Sequence, residues 1–262
     1  MTNPSPFSAV EQLSLPNILT AEEFQNLSPD SACCIVVGGM TYSGRHTQAL
    51  AMKDELENEI FQFNEWISKY HPEDAHEAEV IRLCLSEGYY LPDQLAIKIA
   101  EWAFNTFLTK ALHPDQYYNR PFIVVGYPHS EAQIRHFQSI LEKHHIYALI
   151  AVLEVKPAES IRRMKESTVA RIGHSVDIRP EVQKRKIGEY YLRSHGLIKW
   201  LIFTGKATLF KTCIDRFEYE KRKHELLSVE DRGDYVVLSA RDVTSDIMKF
   251  LNMFHFISNS GA

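Results

Sequence analysis

Residues 35–48 read Ile-Val-Val-Gly-Gly-Met-Thr-Tyr-Ser-Gly-Arg-His-Thr-Gln, and several of them carry chemistry suited to an anion. Gly39 and Gly44 stand at the spacing of a phosphate-binding loop, G-x-x-x-x-G-K-[ST]. Ser43 and Thr47 supply hydroxyls, and Arg45 occupies the lysine position with His46 behind it. Loop N–H groups and the first turn of a following helix can still point at an anion. A guanidinium keeps the positive charge, but it is planar and wider than an ammonium and cannot replace a compact point charge between phosphates. The alternative reading is a plain strand–turn–helix junction, common in any α/β domain.

Other candidates are weaker. His129 stands where a strand is predicted to end and could act as a base, although a lone loop His is more often a surface residue. His144 and His145 suit a helix C-terminus, where a cation complements the dipole. His71 and His76 miss the four-residue spacing of a helical metal pair, and no metal site is expected. The pairs Tyr89-Tyr90 and Tyr117-Tyr118 could stack on a base, with packing as the simpler role. Asp215 and Glu218 share a helical face without a catalytic partner, and the mixed-sign run 218–225 reads as a solvated helix face. The four cysteines (Cys33, Cys34, Cys84, Cys213) show no metal spacing and read as reduced thiols of a cytoplasmic protein.

The elements that would position these groups follow from the apolar pattern. Strand 1 is predicted over residues 33–37, and residues 44–70 carry apolar residues at three- and four-residue steps, as one long helix. Further helices are predicted over 73–85, ended by Gly88, and over 94–108, with Asp93 as N-cap. Residues 122–126 and 147–155 are continuous apolar strands of the parallel-sheet type, with a helix over 130–144 between them. A helix to Met164, a polar loop over 166–179, a long helix over 180–203, a last strand over 235–238 and a terminal helix to about residue 254 complete the chain. Such alternation predicts an α/β fold, a parallel sheet with helices on both faces. Ligands of such sheets bind at the carboxyl ends of the strands, which places residues 38–39 and 126–128 at one edge. Residues 1–30, polar with Pro4, Pro6 and Pro16, read as an extension outside the core with one short helix at 21–25.

The 262-residue chain suits one large domain with excursions. A net charge of −5 gives no general reason to expect nucleic acid or an anionic membrane surface as partner. No apolar run reaches the roughly 20 residues of a spanning helix, and no secretory leader pattern is seen.

Taken in order, the motifs resemble the adenylate kinase family of nucleoside monophosphate kinases, from about residue 32 to 254. The family's GGPGSGKGTQ loop is echoed by residues 39–48, its G-x-L-V-P-D segment by Gly88-Tyr89-Tyr90-Leu91-Pro92-Asp93, and its D-G-[FY]-P-R-x-x-x-Q motif by residues 125–133. The lid and its following helix are echoed by residues 177–201. The resemblance implies a P-loop kinase-like fold with a nucleoside-monophosphate-binding region over about 53–110, a short lid over 166–180 and an added insertion over 205–232. It also implies ATP as the cofactor, held by Gly39, Ser43, Gly44, Arg45, His46 and Thr47, with Leu91 and Gln133 at the acceptor base. Arg45, His129, Arg171 and Arg185 stand as the groups that would act on the phosphates.

The departures fall on the chemistry. Phosphoryl transfer needs cations and donors around the moving charge and a positioned Mg²⁺. The loop lysine is Arg45, the acid before Gly126 is Val125, and the clamping arginine is His129. No clear copy of the T-G-[DE]-L-L-R acceptor motif lies between Gln48 and Gly88, and the lid R-x-D-D pattern is reduced to Ser175-Val176-Asp177-Ile178. The lost acid weakens the case for Mg²⁺, with Asp93 and Asp177 as substitutes. Each lost charged group costs on the order of 3 kcal/mol of transition-state stabilisation. Two functions of different class therefore remain: nucleotide binding with weak, specialised or lost ATP-to-monophosphate transfer, or a non-catalytic binding or scaffold module whose extension and insertion meet a protein partner.

Overall fold

The computed structural model describes residues 13–28, 31–111, 121–170 and 179–253. In chain order its elements are α1 (Ala21–Gln25), β1 (Ala32–Gly39), α2 (Arg45–Leu56), β2 (Ile60–Gln62), α3 (Phe63–Lys69), α4 (Ala75–Glu87), α5 (Asp93–Ala111) and β3 (Phe122–Val125). Then come α6 (Glu131–Lys143), β4 (Ile146–Glu154), α7 (Pro157–Ala170), α8 (Pro180–Glu189), a π-helical turn (Tyr190–Ser194) and α9 (His195–Phe203). The chain continues with β5 (Ala207–Lys211), β6 (Cys213–Asp215), α10 (Arg216–Arg222), β7 (Val229–Asp231), β8 (Tyr235–Leu238) and α11 (Ala240–Asn252).

The main sheet has five parallel strands in the order β2-β3-β1-β4-β5. Successive side chains of a strand face opposite sides, and here both sides are covered. Cys34, Val36, Phe122, Val124, Ala148 and Ile150 face one core, with α3, α5, α6 and α9. Cys33, Ile35, Val37, Ile123, Leu149 and Ala151 face the other, with α2 and α11. That burial explains why these strands read as unbroken apolar runs. The α/β fold with helices on both faces is therefore present. Strand order also sets where a ligand can go. From β1 the chain passes over β3 to the edge strand β2, and from β3 it passes over β1 to β4. The first helix of the former path, α2, packs on one face of the sheet, and α6, which carries the latter, packs on the other. Loops leaving adjacent strands for opposite faces open a crevice between them.

Several sequence expectations are corrected. The predicted helix over 44–70 is broken: Glu57 takes a left-handed φ of 52°, and Ile60–Gln62 pairs with β3 as an edge strand. Phe61, wholly buried, stacks on Phe104 at 3.8 Å, so the sheet and aromatic core override the local helical spacing. The region taken as an insertion from residue 205 begins with β5, a strand of the main sheet. Conversely, the 235–238 strand leaves that sheet and forms an antiparallel one, β6-β8-β7. Of the expected N-terminal extension, the described residues 13–28 are not outside the core. Ile18 is fully buried and bridges to Ala148, and the Asn17 amide reaches the Ile146 carbonyl at 3.0 Å. The α1 helix lies where expected, with a Thr20–Glu23 capping box. Among the described residues no helix is long and apolar enough to cross a membrane.

Candidate functional site

At the carboxyl end of β1 the chain turns through a loop built on two glycines. Gly39 has φ 131°, and a Cβ there would lie 2.5 Å from the Leu153 carbonyl oxygen and 2.8 Å from Ser43 Oγ. Only glycine fits. Gly44, φ 99°, is the N-cap of α2 and caps it with no side chain. The first N–H groups of α2, a 12-residue helix, therefore remain available to an anion. Ser43 is almost wholly buried and its Oγ has no hydrogen-bond partner among the described residues.

The loop opens on a cleft of about 650 Å³, within the size range of small-molecule sites. Tyr42, Ser43, Gly44, Arg45, His46 and Thr47 line one wall, with Val125, Gly126, Arg163 and Leu238 among the facing residues. Among the described residues no carboxylate lines it. Val125 stands in the wall, and no group of three metal-ligating side chains occurs among the described residues.

Arg45 is partly buried and has no carboxylate partner among the described residues. Burial holds its pKa below the usual guanidinium range, against the pull of the Tyr90 and Tyr190 hydroxyls. Its side chain borders both the open cleft and a second, small cavity of about 30 Å³ walled by Tyr127, Pro128, His129 and Ser194. Arg163 is a cation that sequence reasoning missed. Its Nε donates to Glu159 at 2.8 Å, and Nη1 reaches the carbonyls of Tyr42 at 3.5 Å and Ser43 at 3.4 Å. Glu159 is fully buried. Burial pushes its carboxyl up, but hydrogen bonds from Arg162 and Arg163 outweigh this and hold it below the ordinary range. The signal in the sequence was Glu159 with arginines three and four residues on, facing it across one helical turn. Arg232, just past β7, approaches the same carboxylate at 3.8 Å, so the added antiparallel sheet braces the helix beside the loop.

The remaining sequence candidates lie elsewhere. His129 is packed between cations: burial first, then the charges of Arg45 and Arg193, push its pKa down to about 3, while its ring bonds the Gly126 backbone. It stacks on Tyr90 with ring centroids 4.5 Å apart. A neutral imidazole so enclosed is not a phosphate clamp. Gln133 has both amide atoms engaged: Oε1 accepts from the His129 N–H at 2.8 Å, and Nε2 donates to Asp93 Oδ1 at 2.8 Å. Leu91 is buried in the core, and its carbonyl accepts from Arg193 at 2.9 Å. Asp93, expected as an N-cap, is instead the first residue of α5, and its Oδ1 gathers Ser130, Gln133 and Arg193. Arg185 is spent on Glu87, through the carbonyl at 2.8 Å and Oε2 at 2.9 Å, and lies over the Tyr89 ring. Arg171, Asp177 and the greater part of the expected lid, and Tyr117-Tyr118, fall outside the described residues. Thus the structure brings Ser43, Gly44, Arg45, His46 and Thr47 to one cleft, leaves Gly39 on the small cavity behind it, and keeps Gln133, Leu91 and Arg185 off the cleft walls.

No model of a known protein family matches the chain, and no curated protein matches it in sequence.

Proposed function

We propose that the chain is a phosphate-anion-binding protein of the nucleoside monophosphate kinase type, resembling adenylate kinases, that binds a nucleotide such as ATP without a strong need for Mg²⁺ and transfers phosphate slowly or not at all. The observation that carries this reading is Arg45. A partly buried guanidinium without a counter-ion among the described residues stands beside a helix N-terminus that no side chain caps, in a cleft whose described walls hold no carboxylate. An anion would satisfy all three features together. The absent wall carboxylate and the enclosed His129 argue against efficient transfer, since two groups that handle metal and moving charge are missing. The parallel-sheet crevice supports the placement, and four unpaired cysteines suit a reducing, cytoplasmic setting.

The test is titration calorimetry with ATP, in Mg²⁺ and in EDTA, on the parent and on Gly44→Val, together with a coupled assay of ATP and AMP turnover. Binding that chelation changes less than tenfold, lost in Gly44→Val, with turnover far below the ordinary 1–1000 per second, is the expected result. Unchanged binding by Gly44→Val would move the site elsewhere. Ordinary turnover would make the protein a working kinase. No nucleotide binding at all would favour the scaffold reading, which the braced antiparallel sheet over 213–238 supports as a surface added beside the loop.

A further inference from the structure

Residues 86–93, which run from the last turn of α4 to the first residue of α5, are held by residues 179–193, from the N-cap of α8 to the π turn. Arg179 Nη2 donates to the Ser86 carbonyl at 3.3 Å and to Glu87 Oε1 at 2.8 Å. Arg185 holds the other Glu87 oxygen and covers Tyr89. The Tyr90 N–H donates to Glu189 Oε2 at 3.2 Å. Arg193 takes the Leu91 carbonyl and Asp93. Gly88, φ 77°, has α8 so close that a Cβ would meet Val182 Cγ1 and Lys186 Cγ at 2.9 Å and the Val182 carbonyl at 3.0 Å. Beneath this seam Tyr90 lies flat on His129, and the cavity left between β1, β4, the loop over residues 126–129 and α9 is about 30 Å³, room for about two waters. The open cleft on the other side of Arg45 is some twentyfold larger.

We infer that this seam is an internal latch that fills the second half of the crevice with the chain's own side chains, so that the cleft accepts one nucleotide and excludes a second. The inference rests on the nucleotide reading of residues 39–47 and specifies its stoichiometry. No single contact has to be strong. Exposed ion pairs contribute little one by one, but here they are supported by backbone acceptors and by a glycine contact with no slack. A second nucleoside would have to displace Tyr90 from His129 and separate α8 from residues 86–93.

Two variants release the latch without touching the loop: the double Arg179→Gln, Arg185→Gln, and Gly88→Ala, which wedges α8 away. A ligand-free readout is at hand. Cys84 is partly buried within the fields of Glu189 and Arg193, whereas Cys33, Cys34 and Cys213 are buried. Labelling of Cys84 by a thiol reagent should speed up at least fivefold in either variant. ATP and a dinucleotide of two adenosines joined by five phosphates are then titrated. In the parent the dinucleotide should bind within threefold of ATP. In the variants it should gain at least tenfold while ATP stays within twofold. A parent that already binds the dinucleotide tenfold tighter than ATP overturns the latch and leaves the nucleotide site standing. Unchanged Cys84 rates in both variants also overturn it, as does faster labelling without a dinucleotide gain. If neither ligand binds any of the proteins, the nucleotide reading fails, and with it the claim of what the latch excludes.

Discussion

Replacing Arg45 with Met removes a charge while keeping most of the side chain's length, and it should move stability and binding in opposite directions. An uncompensated buried charge costs about 3–5 kcal/mol when a partner is removed from it. Arg45 is only partly buried and has the Tyr90 and Tyr190 hydroxyls nearby, so a fraction of that, about 1–3 kcal/mol, is the reasonable cost in the ligand-free protein. Arg45→Met should recover it. For a domain of this size, each kcal/mol moves Tm by about 2–4 °C, so the variant should melt about 2–12 °C higher. The same change deletes a charge-assisted donor set worth about 1.5–3 kcal/mol per bond, which weakens ATP roughly tenfold to a hundredfold. Thermal melts with and without ATP separate the two effects. At about 100 Kd the parent gains about 2.7 kcal/mol from ligand and the variant far less, so the order of the two melting curves should narrow or invert. A ligand-free variant less stable than the parent by more than 1 kcal/mol would show that Arg45 is satisfied in the fold. Unaltered ATP affinity would show that its charge does not face the ligand.

Gly39→Ala should cost about 2–6 kcal/mol in urea unfolding, from a backbone conformation closed to L-residues and a 2.5 Å approach to the Leu153 carbonyl. Gly44→Ala should cost only the conformational part, about 1–3 kcal/mol, because its nearest foreign atom is Arg163 Nη1 at 4.0 Å; equal losses at the two positions would sink the close-packed account of the loop. His129 titrates near 3 when folded and near its ordinary 6.5 when unfolded, so the unfolded chain binds the proton first and stability falls as pH drops from 6.5 toward 3. That loss, on the order of 1 kcal/mol per pH unit, should shrink in His129→Asn measured by urea melts between pH 6.5 and 4.5, and parallel profiles for both proteins would refute it. Val125→Asp places a carboxylate in the cleft wall and should make ATP binding depend at least tenfold on Mg²⁺; binding that stays indifferent to EDTA in this variant would show that position 125 cannot reach a metal at the phosphates.

The chain by itself determined the parts of this protein that rest on local chemistry. Residues 33–37, 122–126 and 147–155 read as buried parallel strands because strands covered on both faces need no polar side. The turn at Gly39 and Gly44 was legible because positive φ favours glycine at both positions, and close approach to the Leu153 carbonyl excludes any side chain at the first. The Gly88 stop and the α1 helix were legible for similar reasons of capping and backbone freedom. What needed the tertiary structure was everything decided by partners remote in sequence. Ile60–Gln62 became a strand because β3 offered an edge and Phe104 a stacking face, although Leu56, Ile60, Phe63 and Ile67 fit a helix equally well. Ala207–Lys211 entered the main sheet because β4 lacked a neighbour, and residues 13–28 entered the core because Ala148 and Gln138 accepted them. The site divides in the same way. Its loop was written in glycine spacing, whereas the fate of Gln133 and Asp93 depended on Arg193, one hundred residues beyond Asp93. A side chain's type shows what it can bond to; which partner it meets is settled only when the packed elements bring the alternatives within 3 Å of one another.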